Sequence, residues 1–300
     1  MSSSSSSTNY EIVAPISILF AFVAIVIAFF ILILVASTKQ LRTACHLLTC
    51  NTCLSSIIYC IVQCNNYIYL LFIKSNTSDD SCRWRGYFGY ISIVAVVYSY
   101  LLQAISRLLF TVLAMKYRWM TSFKIHFFLI IIGWFIVFLI PLPALLTDDI
   151  KFRSGFLCWV PRQHLLHAIY TILLYYLIPI VLIITIYVSI YLRVHSHTNN
   201  NNTLLQDRPA RKNRDLEVLR NIVILFSIYI LGALPLILYM LTNVEFFYSV
   251  GIISISFTVM VEKSASLFID RDIRNAGKKY FGQRRTQVSP LALNIATIAK

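Results

Sequence analysis

The sequence predicts an all-α membrane protein: a bundle of seven transmembrane helices with a short amphipathic helix behind the seventh. Three observations predict it. Of 300 residues, 58% are hydrophobic and only 13% charged, against roughly 25% charged in water-soluble domains. Seven apolar runs each reach the roughly 20 residues that a membrane helix needs. Basic residues gather on alternate connections between those runs, as they do in membrane proteins with a fixed orientation.

The runs cover residues 12–36, 45–73, 86–115, 125–146, 165–192, 216–242 and 246–269. What is left is too short for a large soluble domain, so function is expected between helices or in short loops. The organisation expected is an extracellular tail, 1–11, a bundle, 12–270, and a cytosolic amphipathic helix with tail, 271–300. "MSSSSSSTNY" has no basic residue before the first apolar run, so no cleavable signal peptide is expected and the first span serves for insertion. Eighteen Lys and Arg fall on the connections after runs one, three and five and on the C-terminal tail, and six on the opposite side. That bias places the N-terminus outside and the C-terminus in the cytosol, in the plasma membrane. The net charge of +14 is thereby a matter of topology and favours an acidic inner leaflet of the lipid bilayer. It gives no reason to expect nucleic-acid binding.

Pro141, Pro143, Pro179 and Pro235 lie in or near the runs, where each removes a backbone donor and bends a helix. The stretch from His195 to Arg214, "HSHTNNNNTLLQDRPARKNR", is polar and basic and reads as a mobile cytosolic loop. In "DRDIRNAGKKYFG", Ile273, Ala276, Tyr280 and Phe281 share one helical face with Arg274 and Lys278 away from it, the pattern of a helix lying at a membrane surface.

Arg107 stands in the apolar stretch "YLLQAISRLLFTVLA". A guanidinium costs several kcal/mol at the bilayer centre, so such a residue faces a bundle interior or an interface and is a functional candidate by default. Five of the seven cysteines, Cys45, Cys50, Cys53, Cys60 and Cys64, fall on the second run as small apolar fillers. Cys82 and Cys158 fall on the outer side, where a disulfide is permitted, and a bridge between them would pin the loop around Cys158 over the bundle mouth. Asn76 in "NTS" is an outer glycosylation sequon. His164 and His167 have helical i, i+3 spacing but no accompanying set of carboxylates that would make a metal site, so no metal and no cofactor is expected. No nucleophile stands beside a matched base at helical spacing, so no enzyme activity is expected either.

These features together resemble a rhodopsin-like (class A) G-protein-coupled receptor, in a divergent form. Arg107 follows Cys82 by twenty-five residues, as the family's span-three Arg follows its Cys. Trp134, Pro179 with Tyr187 eight residues on, Pro235 and "FIDRDIR" also match, over residues 12–282. The departures are as specific. The family's Asp-Arg-Tyr is Ser106-Arg107-Leu108 here, the span-two Asp is Ser56, and the aromatic before the span-six Pro is replaced by Gly232-Ala233-Leu234. The Asn-Pro-x-x-Tyr motif is replaced by Glu262 to Ser266, "EKSAS". Sodium-linked regulation and the usual activation relay are not expected.

The resemblance implies an extracellular ligand and a heterotrimeric G protein as partners. Arg107 and Tyr187 would contact or support the G protein, and Pro235 would let span six move. Asp215, twenty residues before Pro235, would hold Arg107 in the inactive state, with Glu262 as a second acid for Arg107; Glu262 and Lys263, being sequence neighbours, are not expected to face each other. Ligand-pocket positions match Gly89, Tyr90, Ile93, Thr171, Tyr175 and Met240. Gly89 in place of an amine-binding Asp argues against a biogenic amine, and Ser256 in place of a retinal-binding Lys argues against an opsin. An aromatic, uncharged pocket below Asp79, Asp80, Asp148, Asp149 and Glu245 suits a peptide with basic groups. The alternative is a small transporter or channel with Arg107, Gln103, Glu262 and Lys263 lining the path.

Overall fold

The computed structural model describes residues 10–72, 78–113, 122–152, 156–161, 164–199, 209–242 and 244–280; the side chains of 112–113, 194–199 and 209–219 are not part of that description. Asn76 lies outside the described residues. Seven helices are long and apolar enough to cross a membrane: span one Tyr10–Ser37, two Ala44–Phe72, three Asp79–Thr111, four Phe123–Leu146, five Leu165–Arg193, six Arg220–Thr242 and seven Glu245–Ile269.

Span one is apolar all round, and residue size decides its inner face. Ala14, Ser17, Ala21, Ala24 and Ala28 recur every three or four residues and are buried, while Leu19, Phe22, Val26, Phe29 and Ile33 point outward. In lipid, where apolar surface gains nothing by leaving solvent, small residues let helices approach and gain packing instead.

Span three is the central post, with almost every residue from Tyr87 to Leu101 buried. It begins seven residues before the expected start at 86. Ser78 Oγ accepts from the Ser81 amide at 3.3 Å, and Asp79 and Asp80 occupy the first turn, where carboxylates complement the helix dipole. Polarity that reads as a loop is here a helix start. Just past Arg107 the helix widens into a π-type turn, Leu109–Leu113. Span five has a similar widening at Ile172–Leu177, where the Tyr98 hydroxyl donates to the Leu174 carbonyl at 3.2 Å.

Span four breaks at Ile140 and Pro141 and resumes as the short helix Leu142–Leu146. It is tied to span two by Trp134 Nε1, which donates to Asn51 Oδ1 at 3.0 Å. Span six carries Pro235 inside its helix. At Gly232 it lies so close to span seven that a Cβ would collide with the Thr258 side chain, so the stretch Gly232-Ala233-Leu234 begins with a residue whose missing side chain permits close contact of two helices.

The stretch expected as a mobile loop is helical at both ends, to Asn199 and again from Pro209. After span seven, Asp270 Oδ1 accepts from the Asp272 and Ile273 amides at 2.9 and 3.2 Å and starts a helix over 271–280. Ile273 and Ala276 are buried in one cluster with Leu34, Leu41 and Ile57, while Arg274 and Lys278 are exposed. The expected amphipathic face is there, packed on spans one and two; Phe281 lies outside the described residues.

Candidate functional site

At the end of the bundle expected to face the cytosol, here called the inner end, a cleft of about 560 Å³ opens between spans two, three, six and seven and the short terminal helix. Arg107, nine-tenths buried, lines it. Its Nη2 contacts Cys45 Sγ in the first turn of span two. One turn above, Gln103 Nε2 donates to Thr52 Oγ1. The Thr52 carbonyl accepts from Lys263 Nζ at 3.4 Å, and Lys263 Nζ lies 3.0 Å from Glu262 Oε1. The Tyr100 hydroxyl lies beside Glu262, and among the described residues neither that hydroxyl nor Glu262 Oε2 completes a hydrogen bond. One polar chain thus crosses spans three, two and seven.

Glu262 and Lys263 face each other, contrary to the expectation from their adjacency. Neighbouring helical residues point about 100° apart, but both side chains here are at most 1% exposed. A buried ammonium without a partner is far costlier than a bent one, so the long Lys stem folds back to the carboxylate. Among the described residues Arg107 meets Cys45, and Glu262 is engaged by Lys263; the Asp215 side chain is outside the description. Tyr187 is half-buried in span five, and Pro235 is half-buried in span six. At the rim, ligand atoms of His46, Asp270 and Asp272 lie within 4.8 Å of one another, a set that could hold a cation. Asp270 is also committed there as the cap of the terminal helix.

The other end, the outer one by the same expectation, is the opposite case. Cys82 and Cys158 form a disulfide, with Cα atoms 5.2 Å apart, and the loop segment Phe156–Val160 enters the bundle. Leu157, Cys158 and Val160 are buried. The Leu157 amide donates to the Tyr248 hydroxyl at 2.8 Å and the Val160 amide to the Tyr90 hydroxyl at 2.9 Å. Trp159 lies between them, its ring 6.5 Å from Tyr90 and 6.1 Å from Tyr248. Gly86 has no Cβ to obstruct the Cys158 carbonyl against span three. Of the expected pocket residues, Gly89, Tyr90, Ile93 and Tyr175 are buried here, with Tyr90 and Tyr175 edge-on at 5.7 Å. Thr171 bonds its own helix at the His167 carbonyl, 2.8 Å, and Met240 is half-buried on span six.

Two of the acids expected to suit a basic peptide, Asp148 and Asp149, are engaged within the chain. Asp148 lies 2.6 Å from Arg83 of span three, and Asp149 takes His164 and His167 at 3.0 and 2.5 Å. These neighbouring acids pull in different directions, and Asp148 adopts a left-handed backbone with φ 55°, a conformation that costs a non-glycine residue and persists because its surroundings enforce it.

Comparison with known proteins agrees with this geometry. The family described as 7 transmembrane receptor (rhodopsin family) matches residues 17–266. The chain belongs to that family. It is therefore a multi-pass receptor and no enzyme, and the transporter alternative is set aside. Over 126 residues it is 30% identical to the neuromedin-K receptor of Oryctolagus cuniculus, an alignment covering 39% of this chain and 26% of that receptor.

Sequence reasoning passed over Cys45, Thr52, Tyr248 and Trp159. For Trp159 a signal existed: "GFLCWV" is an apolar run around an outer cysteine, too hydrophobic for a loop bathed in water. Cys45 gave none, since its role comes only from the side chain that span three brings to it.

Proposed function

We propose that the chain is a G-protein-coupled receptor of the plasma membrane that responds to an extracellular peptide and activates a heterotrimeric G protein at its inner cleft. The N-terminus is outside and the C-terminus cytosolic. The observation that carries this reading is the cleft itself: an opening of about 560 Å³ lined by Arg107, at the end where basic residues concentrate. Outer and inner sites are joined by span three, which carries Tyr90 at one and Arg107 at the other. A ligand that favours one arrangement of the helices raises G-protein affinity, and the G protein raises ligand affinity by the same factor.

The aromatic, uncharged outer pocket and the likeness to a receptor named for neuromedin-K support a peptide as ligand. Asp215 is the acid that holds Arg107 in the inactive state, and the Cys45 contact is its alternative; Tyr187 supports the G-protein helix. The test is nucleotide exchange on a panel of G proteins with Arg107→Ala alongside. Exchange that depends on Arg107 at equal surface density is expected, and ion flux without exchange would refute the reading. Asp215→Asn is expected to raise basal exchange; an unchanged basal level removes Asp215 from the mechanism.

A further inference from the structure

Outer pockets of receptors are built to receive something, and this one is already filled from within. Phe156–Val160 lies among Tyr90, Tyr175, Tyr239 and Tyr248, with Phe156 and Tyr239 rings 5.1 and 5.0 Å from Tyr248. The contacts are those of a bound peptide. Two backbone amides are read by two tyrosine hydroxyls from different spans, Tyr90 of span three and Tyr248 of span seven. One indole is packed between the same two rings, and its Nε1 has no hydrogen-bond partner among the described residues. The Trp159 amide donates to the Leu157 carbonyl at 2.8 Å, a tight turn that presents the indole inward. Tethering by Cys158 to Cys82 keeps the segment at a high effective concentration, so a soluble competitor starts at a disadvantage.

At the opposite end of the same structure the inner cleft stands open beside Arg107. An occupant stabilises the arrangement in which it is seated. We propose that Leu157–Val160, with Trp159 as anchor, is a tethered agonist, so the receptor signals without added ligand. An external peptide acts by displacing the segment and carries an aromatic residue beside two backbone amides. The proposal rests on the G-protein reading above, and its test separates the two.

The full chain is expressed with a G-protein panel and no ligand, and exchange is counted per receptor at the surface. Basal exchange is expected to be abolished by Arg107→Ala and to fall at least about fivefold, within the usual range of allosteric coupling, in Trp159→Ala, with Trp159→Phe retaining most of it. Tyr248→Phe, which keeps the ring and removes the acceptor of the Leu157 amide, lowers exchange by a smaller factor and serves if Trp159→Ala fails to reach the surface. Independently of signalling, p-benzoylphenylalanine in place of Trp159 is expected to cross-link to the span-three segment around Tyr90 or the span-seven segment around Tyr248. Absence of that cross-link overturns the proposal. Arg107-dependent basal exchange that is indifferent to Trp159→Ala and Tyr248→Phe overturns the agonist role while leaving G-protein coupling intact. No exchange on any G protein removes both, and the cross-link then shows an occupant without output.

Discussion

The two ends of the bundle are held by opposite means. Outside, a covalent bridge and a plug of aromatic rings close the mouth, with two amides satisfied by tyrosines. Inside, a cleft is left open and its walls are joined by charged and polar groups: Arg107 to Cys45, Gln103 to Thr52, and Lys263 to Glu262 and the Thr52 carbonyl. Aromatic packing tolerates gradual change, whereas a buried ion pair is either intact or costly. The outer end is thereby suited to occupancy and the inner end to switching between discrete arrangements.

The sharpest break of this contrast is at Lys263. In Lys263→Met the Glu262 carboxylate keeps its burial and loses its counter-charge, which costs about 3–5 kcal/mol. The folded receptor recovered in detergent is expected to fall steeply. Adding Glu262→Gln should restore most of it, because a neutral pair of similar size needs no compensation. Equal melting of the single and double variants would mean that the pair is not coupled.

At the outer end the corresponding change is Cys82→Ser. The bridge closes a sequence separation of 76 residues, and loss of a native disulfide costs about 2–5 kcal/mol. Here the damage is expected to be local: the melting temperature falls, and limited proteolysis cuts near Phe156 before any cut in the spans. A variant whose loop stays protected would show that Tyr90 and Tyr248 hold the segment unaided.

Between the ends, Gly232→Ala tests the contact of spans six and seven. The added Cβ meets the Thr258 side chain, and overpacking of this kind costs about 1–3 kcal/mol. Pairing it with Thr258→Ala should recover stability, read from melting temperature in detergent.

How much of this was legible in the sequence follows the same contrast. All seven spans could be read because apolar length is a local property, and the family over residues 17–266 is the one that the spacing of Cys82, Arg107, Trp134 and Pro235 resembles. The start of span three was misplaced because Ser78, Asp79 and Asp80 are polar for two different reasons, in a loop or at a cap, and only the backbone distinguishes them. The outer bridge was legible from topology. The inner network was not: Glu262 and Lys263 project in different directions on an ideal helix, and their pairing depends on how deeply spans two and three bury both. The plug was hidden because a loop's destination is written in the surfaces it meets, which lie on spans three, five, six and seven.

The smallest effect expected is also the cleanest for separating hydrogen bonding from charge. Trp134 Nε1 donates to Asn51 Oδ1, joining spans four and two with neutral partners, and Asn51 is buried at 6% exposure. Trp134→Phe leaves the Asn51 carbonyl oxygen without that donor, but lipid-embedded hydrogen bonds average only about 0.6 kcal/mol because the alternatives also find partners. A fall in melting temperature well below that of Lys263→Met is therefore expected, and Asn51→Leu in the same background should add little. If Trp134→Phe proved as damaging as Lys263→Met, the inner end would not be distinguished by its charges, and rigid helix contacts in general would set the stability of both ends.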